Sequence, residues 1–567
     1  MEEVKNIITV DGIEVELNGE KNLLEVIRKA GIDLPTFCYH PEFAELGATY
    51  GACRMCVFEN EWGGIDASCS TVPRAGMVVK TNTERLRRYR KNILELMLAN
   101  HCRECTTCEK NETCKLREFS TKFGLTDVRF PNTNPTPKID ASSPCVVRDE
   151  SKCILCGACV RVCDEIQNVG AIAFTKRSSH ASVGTSFNIP LGESNCVGCG
   201  QCAAFCPTGA ITIKNDTEKV WSALSNKDTY ATVQIAPAVR VAVGKEFGLP
   251  AGEDVLGKIV AALRYMGFAE VYDTTVGADM TVYEESAEFL RKVQNGEKLP
   301  LFTSCCPGWV KFVENEYPEF LSQVSSCRSP MEMLAPVLRD RIDAGLAAEG
   351  KKHFHIAIMP CTGKKKEILR DEFKGQVDVV LSTVELIKMI RRCGLNFAKL
   401  QPSAPDSVYG PTSGAGVIFG VTGGVTEAVL RKVVNDTSDA ALEQISYVGV
   451  RGLEGVKEAT VALGDKQLKI AVVSGLANTS RLLEALKDGS KHYDLVEVMA
   501  CPGGCVYGGG QPKTESACEH KARFDGLYNA DKASAIRTSQ QNKAVEELLE
   551  SLGDKKHDLL HVHYGKH

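Results

Sequence analysis

Thr303-Ser304-Cys305-Cys306-Pro307-Gly308-Trp309 is the stretch on which the reading of this chain turns, and two others share its character. They are Met359-Pro360-Cys361-Thr362-Gly363-Lys364-Lys365-Lys366-Glu367 and Glu497-Val498-Met499-Ala500-Cys501-Pro502-Gly503-Gly504-Cys505. Each places one or two cysteines between apolar segments and close to Gly or Pro. Such cysteines can sit on turns at the ends of buried strands and converge from distant parts of the chain. Four thiolates are the ligand set of a [4Fe–4S] cube, which leaves one cysteine over. The competing reading is buried structural cysteine, packed as a small hydrophobe. The cysteine patterns upstream weigh toward metal.

The 567 residues carry 25 cysteines, 67 basic and 72 acidic side chains, and a net charge of −5. That length implies several domains with ample core. The near balance of charge argues against nucleic acid and gives no reason to expect a membrane surface. No apolar run reaches the ~18 residues of a transmembrane helix. The start, MEEVKNIITVDG, is acidic and lacks a signal-peptide core. The expected location is therefore cytoplasmic. A disulfide framework is not expected in such a chain, and the many C-x2-C clusters favour metal, with zinc as the rival to iron–sulfur.

Taken in order, residues 5–18 alternate apolar and polar around Asp11-Gly12, which predicts a β-hairpin. A helix is predicted from Asn22 to Ala30, with Gly31 as its stop. Cys38, Cys53, Cys56 and Cys69 follow as C-x14-C-x2-C-x12-C, for which a four-cysteine zinc site is the competing reading. Residues 83–100 predict a helix packing through Leu86, Tyr89, Ile93, Leu96 and Met97, with Arg and Lys opposite. It leads into His101, Cys105, Cys108 and Cys114, spaced H-x3-C-x2-C-x5-C, with Cys102 adjacent. Residues 125–144 read as a linker.

Two repeats come next, Cys153, Cys156, Cys159, Cys163 and Cys196, Cys199, Cys202, Cys206-Pro207. Both are C-x2-C-x2-C-x3-C, the bacterial two-cluster ferredoxin run, in which the fourth cysteine of each repeat ligates the other cluster. Cys153, Cys156, Cys159 and Cys206 should hold one cube, and Cys196, Cys199, Cys202 and Cys163 the other. An inserted loop is expected near residues 175–192. From about residue 216, strand-like runs such as Thr232–Val243, Phe354–Met359 and Leu468–Ser474 alternate with amphipathic helices, an α/β pattern with parallel sheets. Gly414–Gly424 lacks the G-K-[ST] of a phosphate loop and reads as close backbone approach in a core or beside a cofactor. The tail, with His557, His561, His563 and His567, reads as exposed.

The three opening stretches resemble the signatures of [FeFe]-hydrogenases, TSCCPxW, MPCxxKxxE and ExMACxGGCxxGGGQP, the last running on through Gly508-Gly509-Gly510-Gln511-Pro512. The resemblance spans nearly the whole chain. It implies an α/β catalytic domain of two parallel-sheet lobes around an H-cluster, preceded by small α+β ferredoxin-like iron–sulfur domains. It divides the chain into a [2Fe–2S] β-grasp domain over 1–80, a His/Cys3 [4Fe–4S] domain over 81–125, a two-[4Fe–4S] ferredoxin-like domain over 140–215 and the catalytic domain over 216–567. The gap after Cys38 exceeds that of the usual family version, so a longer loop is expected there.

By the same resemblance Cys306, Cys361, Cys501 and Cys505 bind the H-cluster cube, and Cys505 is shared with a diiron subsite carrying CO, cyanide and a bridging dithiolate. Cys305 passes protons, followed by Glu285, Ser325 and Glu288. Lys364 hydrogen-bonds a cyanide ligand, while Lys365 and Lys366 are expected on the surface. Met359, Met499, Ala236, Pro237 and Phe419 pack the cofactor. Met331 stands where many members have Gln, which makes the pocket more apolar there. His101 with Cys105, Cys108 and Cys114 should hold a cluster whose neutral imidazole raises its potential.

The expected activity is that of a ferredoxin hydrogenase, 2H⁺ + 2e⁻ ⇌ H2, fed through three accessory [4Fe–4S] clusters and one [2Fe–2S]. The implied partners are ferredoxin or a similar soluble carrier, hydrogenase maturation proteins, protons and H2, with no nucleic acid and no membrane. Three rivals stand beside it: an H2-sensing relative, a cluster-assembly relative, and a subunit of an NAD-linked bifurcating complex. Cys305 argues against the first, the diiron motifs against the second, and the lack of a dinucleotide fingerprint against the third.

Overall fold

The computed structural model describes residues 6–41, 51–133, 137–407, 409–434, 451–452, 455–463, 466–514 and 516–565. The chain divides into two compact units. The first comprises residues 1–165, 170–194 and 205–212; the second comprises 166–169, 195–204 and 213–567.

The first unit opens with the hairpin the sequence predicts. Strands Ile7–Val10 and Ile13–Glu16 pair antiparallel, and the turn puts Asp11 and Gly12 at φ of +48° and +87°. Two successive left-handed residues match the twist of a two-residue hairpin, which is why Asp-Gly occupies them. The hairpin joins strands Val78–Lys80, Val57–Asn60 and Ile65–Ala67 in a five-stranded mixed sheet. Helix Leu23–Lys29 starts at Asn22, whose side chain accepts the N–H of Glu25, and buries Leu23, Leu24, Val26 and Ile27. The longer loop expected after Cys38 falls largely on residues 42–50, outside the described residues.

Helix Glu84–Ala99 is capped by Thr83, but the face it buries differs from the expected one. Leu86, Arg90, Leu94, Glu95 and Ala99 are buried, whereas Tyr89 and Leu96 are 37% and 47% exposed. The guanidinium of Arg90 donates to the carbonyls of Met55 and Val57. A charged side chain occupies the core side because it satisfies backbone acceptors there. Within the loop expected near 175–192, Ala173–Thr175 and Ser182–Gly184 pair as a short hairpin.

The second unit holds two four-stranded sheets. In one, Glu270–Asp273, Thr229–Ile235, Lys352–Met359 and Val379–Ser382 are all parallel. The run expected to continue to Val243 stops at Ile235, because Pro237 opens a 3-10 turn. In the other, Leu301–Phe302, Leu495–Met499 and Lys466–Ser474 are parallel, and Val456–Leu463 adds an antiparallel edge. The second sheet thus departs from a purely parallel lobe. The glycines of 414–424 sit in close approach: a Cβ on Gly424 would lie 1.7 Å from the carbonyl oxygen of Ile418, and one on Gly414 2.1 Å from Asp531 Oδ1.

The C-terminal tail is docked through His561 and Val562, while His557 and His563 are exposed as expected. Helix Lys556–Leu560 is followed by a bridge between His561 and Cys327, and the Val562 N–H donates to the Ser326 carbonyl at 2.7 Å. His557 remains 71% exposed, and His567 lies outside the described residues. Among the described residues no helix is long and apolar enough to cross a membrane.

Candidate active site and metal centres

The three cysteine stretches all leave the C-terminal ends of parallel strands. Cys305 and Cys306 follow Leu301–Phe302, Cys361 follows Lys352–Met359, and Cys501 follows Leu495–Met499. Ala236 and Pro237 leave Thr229–Ile235 in the same way. Open α/β sheets gather their sites at these ends. Cys306 caps helix Pro307–Glu316, and Trp309 fixes the turn by donating its indole N–H to the Thr303 carbonyl at 3.1 Å. The Ala500 N–H points at Cys306 Sγ at 3.3 Å, which ties the first stretch to the third. Gly504, at φ +90°, passes so close to Thr422 that a Cβ would lie 2.5 Å from its backbone nitrogen. No other residue type fits that position.

Cys306, Cys361, Cys501 and Cys505 form one electrostatic group. Burial pushes each thiol up, and for Cys361, Cys501 and Cys505 the charges of the other members push further; Cys361 reaches about 11. Lys364 is a cation that acts on Cys306, Cys361 and Cys505 in the opposite sense. Four thiols gathered without water cannot all ionise on their own. Metal charge makes the tetrathiolate state accessible, so the donor set fits an iron–sulfur cube. Among the described residues no three or more His, Cys, Asp or Glu side chains converge as a single ion would require.

Lys364 lies with Nζ 3.3 Å from the Cys305 carbonyl and 2.7 Å from Glu367. Lys365 is not a surface residue, and Lys366 is only partly exposed. Lys365 is buried between Asp216 at 2.7 Å and Glu385 at 3.0 Å, and Lys366 donates to the Cys196 carbonyl at 2.9 Å. Phe419 and Met499 share a buried cluster with Cys305 and Cys505 packed against it. Ala236, Met331 and Met359 belong to the core of the all-parallel sheet, and Pro237 is buried.

Glu285 and Glu288 lie on helix Thr275–Asn295. Glu285 is fully buried, and neither carboxyl oxygen meets a protein hydrogen-bond donor of good geometry. Burial first, and then the charge of Glu288, push its carboxyl up to about 8. Glu285 in turn raises the thiol of Cys305, which burial already keeps neutral. Ser325 Oγ donates to Glu288 Oε2 at 3.1 Å and influences Glu285 as well. Cys305, Glu285, Ser325 and Glu288 thus interact in that order. Glu284 turns elsewhere, to His561 and Lys556.

Residues outside the expected set also build the centre. The Glu497 carboxylate accepts the N–H groups of Gly423 at 2.6 Å and Thr426 at 2.7 Å, at the start of helix Gly424–Val434. Its place in the third stretch was visible, its partners were not. Thr362 Oγ1 donates to the Gly198 carbonyl at 2.7 Å, and Gln201 Nε2 to the Tyr507 carbonyl at 3.0 Å. These bonds set the loop of Cys196, Cys199 and Cys202 against the second and third stretches.

Each accessory set is placed as follows. Cys38, Cys53, Cys56 and Cys69 are buried in mutual contact, Cys38 against Cys53 and Cys69, and Cys56 against Cys69. Cys153, Cys156, Cys159 and Cys206 line one cavity. The two ferredoxin-type repeats share a local conformation. The N–H two residues on meets sulfur at 3.4 Å in both, Leu155 to Cys153 and Gly198 to Cys196. Leu155 and Gly198 are left-handed, as are Gly157 and Gly200. Cys163 belongs to the first unit and Cys196, Cys199 and Cys202 to the second. Cys105 and Cys108 act on the charge of Cys114. His101 is buried with Nδ1 unpartnered; burial, then Lys152, holds its ring down to about 4. A neutral imidazole with a free buried nitrogen suits a metal ligand.

Comparison with known proteins gives a consistent set of matches. Residues 229–509 match the iron only hydrogenase large subunit, C-terminal domain, and residues 518–567 the iron hydrogenase small subunit. Residues 5–84 match a 2Fe-2S iron–sulfur cluster binding domain, 90–129 the NADH-ubiquinone oxidoreductase-G iron–sulfur binding region, and 152–219 a 4Fe-4S dicluster domain. The NADP-reducing hydrogenase subunit HndD of Solidesulfovibrio fructosivorans is 37% identical, covering 99% of this chain and 98% of its own. Iron hydrogenase 1 of Clostridium pasteurianum is 34% identical over 99% of this chain and 100% of its own. A solved variant of the [FeFe]-hydrogenase HydA1 from Chlamydomonas reinhardtii is 34% identical, with a TM-score of 0.53, over 62% of this chain and 99% of that one.

Proposed function

The chain belongs to the iron-only hydrogenase family, with accessory iron–sulfur domains, and from that premise we propose that it catalyses 2H⁺ + 2e⁻ ⇌ H2 with ferredoxin as electron carrier. The observation that carries the reading is one arrangement: four cysteines from three strand ends, Cys501 buried and the others partly so, with a fifth thiol, Cys305, beside the buried carboxyl of Glu285.

In this reading Cys306, Cys361, Cys501 and Cys505 would hold the cube, and Cys505 would be the thiolate shared with the diiron subsite. When bound, the H-cluster supplies the H–H chemistry. The protein's part is position, dryness and protons. Lys364 presents a cation where an anionic ligand would otherwise be buried alone, and Glu367 fixes its ammonium. Met359, Met499, Phe419, Ala236 and Pro237 exclude water. Cys305 keeps a neutral thiol and hands its proton outward or inward through Glu285, Ser325 and Glu288. The cysteine sets and His101 described above would hold three accessory [4Fe–4S] clusters and one [2Fe–2S], which would supply electron transfer. Maturation proteins would install the diiron group, and a cytoplasmic setting fits a soluble carrier.

A second reading has its own support: the 37% identical HndD carries the words NADP-reducing and subunit in its name. There the N-terminal clusters would receive electrons from a flavin-bearing partner. Infrared spectroscopy tests the central claim. The matured chain should show CO and cyanide stretching bands, and Cys505→Ala should lose them while the accessory clusters keep their EPR signals. Bands that persist in Cys505→Ala would rule the shared thiolate out.

A further inference from the structure

We propose that His561, acting through Ser326, is the group by which the proton path exchanges protons with solvent; this rests on the path through Cys305, Glu285, Ser325 and Glu288 proposed above. Glu288, at the outer end of that path, has a side chain only 10% exposed. Its Oε2 accepts three bonds: Ser325 Oγ at 3.1 Å, the Ser326 N–H at 3.0 Å and Ser326 Oγ at 3.0 Å. Lys292 stands 3.7 Å from its other oxygen. The hydroxyl of Ser326 does not end there. It lies 2.9 Å from His561 Nδ1, and His561 Nε2 lies 3.1 Å from Glu284 Oε2. His557, 71% exposed, has its ring centre 5.2 Å from that of His561.

The donors and acceptors along this chain are constrained. Burial pushes the Glu284 carboxyl up, but the bonds from His561 and Lys556 bring it below the ordinary value. Glu284 is therefore a carboxylate and accepts from His561 Nε2–H. When Ser326 donates to Glu288, its oxygen must accept from His561, so Nδ1 carries a proton too. A concerted shift then moves the Nδ1 proton to Ser326 Oγ and the Ser326 proton to Glu288. The products are a neutral imidazole and a Glu288 carboxyl: one proton is transferred and no charge is lost. The reverse shift discharges a proton outward. Among the described side chains on Glu288, Ser325 leads inward to Glu285 and Lys292 is a donor only, so Ser326 is the outward group that both donates and accepts.

The position of His561 is fixed, not accidental. Arg328 donates its backbone N–H to the Leu560 carbonyl at 2.9 Å, its Nε to the His561 carbonyl at 3.2 Å and its Nη2 to the Asp558 carbonyl at 2.8 Å. A cavity of about 620 Å³ is lined by Glu284, Glu288, Ser326, His557, His561 and His563, so water reaches the ring. The charged and titratable groups around the ring are Glu284, Glu288, Arg291, Lys292, Lys556, His557, His563 and Tyr564, with Cys327 and Arg328 on its backbone. The segment that carries it is the one matched to the iron hydrogenase small subunit, which gives that segment a place in proton exchange.

The test uses the matured full chain. His561→Ala should slow H2 turnover by about 10²-fold, the scale of a lost acid–base group, with CO and cyanide bands unchanged. Added imidazole, which the cavity admits, should restore much of the rate and shift the pH profile. His561→Gln, which keeps hydrogen bonds but carries no titrating proton, should stay slow. Wild-type rates in His561→Ala or in His561→Gln, or a slow His561→Ala that imidazole does not rescue, would overturn the proposal. A second readout needs no diiron group. In protein made without it, the 15N resonances of His561 should show both ring nitrogens hydrogen-bonded, and Glu288→Gln should move Nδ1; an unmoved Nδ1 also overturns it. A matured wild type with the infrared bands but no H2 turnover would instead defeat the reading of the site.

Discussion

Glu285 shows how burial, reinforced by the charge of Glu288, sets a residue's chemistry. Its carboxyl is raised from 4.5 to about 8, so the folded chain holds a proton there that the unfolded chain has lost. By linkage, the stability this group contributes is full below its unfolded value and is lost as pH rises through about 8. Glu285→Gln should therefore flatten the fall in stability between pH 5 and pH 8, read by thermal unfolding at stepped pH. The same variant should lose about 10²-fold or more in H2 turnover with cluster spectra intact, because an amide cannot pass a carboxyl proton. Near wild-type turnover would defeat the path. Lys365 teaches the opposite lesson about reading sequence. A run of three lysines looks like a solvated face, yet the partners that bury Lys365 are 149 residues before it and 20 after it. Nothing local encodes that. Lys365→Met leaves the buried Glu385 without a cation and Asp216 with Lys219 alone, and should cost about 3–5 kcal/mol, a clear drop in calorimetric transition temperature.

Elements were readable where local chemistry decides them. The Asp11-Gly12 turn, the Asn22 cap and the strand ends before Cys305, Cys361 and Cys501 need no distant partner to be inferred. The face of helix Glu84–Ala99 was misread for a physical reason: apolar spacing named Tyr89 and Leu96, but hydrogen bonds placed Arg90 inside. Removing Arg90 strands the carbonyls of Met55 and Val57 beside Cys56. Arg90→Ala should destabilise the first unit by about 2–4 kcal/mol, with earlier loss of the [2Fe–2S] absorption on heating. Tyr89→Ala should change that temperature little, since a side chain at a third exposure contributes little packing. Equal effects in the two variants would mean the buried face is wrong. The docking of His561 and Val562 has no local signal either. The tail's histidines carry no periodic signal, and only pairing with Ser326 and Cys327, more than 200 residues earlier, reveals a docked segment.

Two units with different loads make up the chain: the first holds the Cys38, His101 and Cys153 sets, the second the hydrogenase centre and the Cys196 loop. The motifs made the catalytic unit readable, because each carries its own glycines and prolines for the turn that presents a thiol. The electron donor is not written in any such motif, and the two most similar full-length relatives described above differ in name on this point. A dinucleotide is held by a glycine-rich turn between strand and helix, with its pyrophosphate at the helix N-terminus. The glycine-rich segment 414–424 does not offer that space: its glycines are already filled by Asp531, Thr275, Leu527 and Ile418. The chain alone should therefore not accept hydride from NADH or NADPH. Purified and matured, it should evolve H2 from reduced ferredoxin and show none above background with either nucleotide. Adding a flavin-bearing partner is what would confer nucleotide dependence if the chain serves as a subunit. Nucleotide-driven H2 from the chain alone would overturn both arrangements, whereas H2 from ferredoxin alone selects the first.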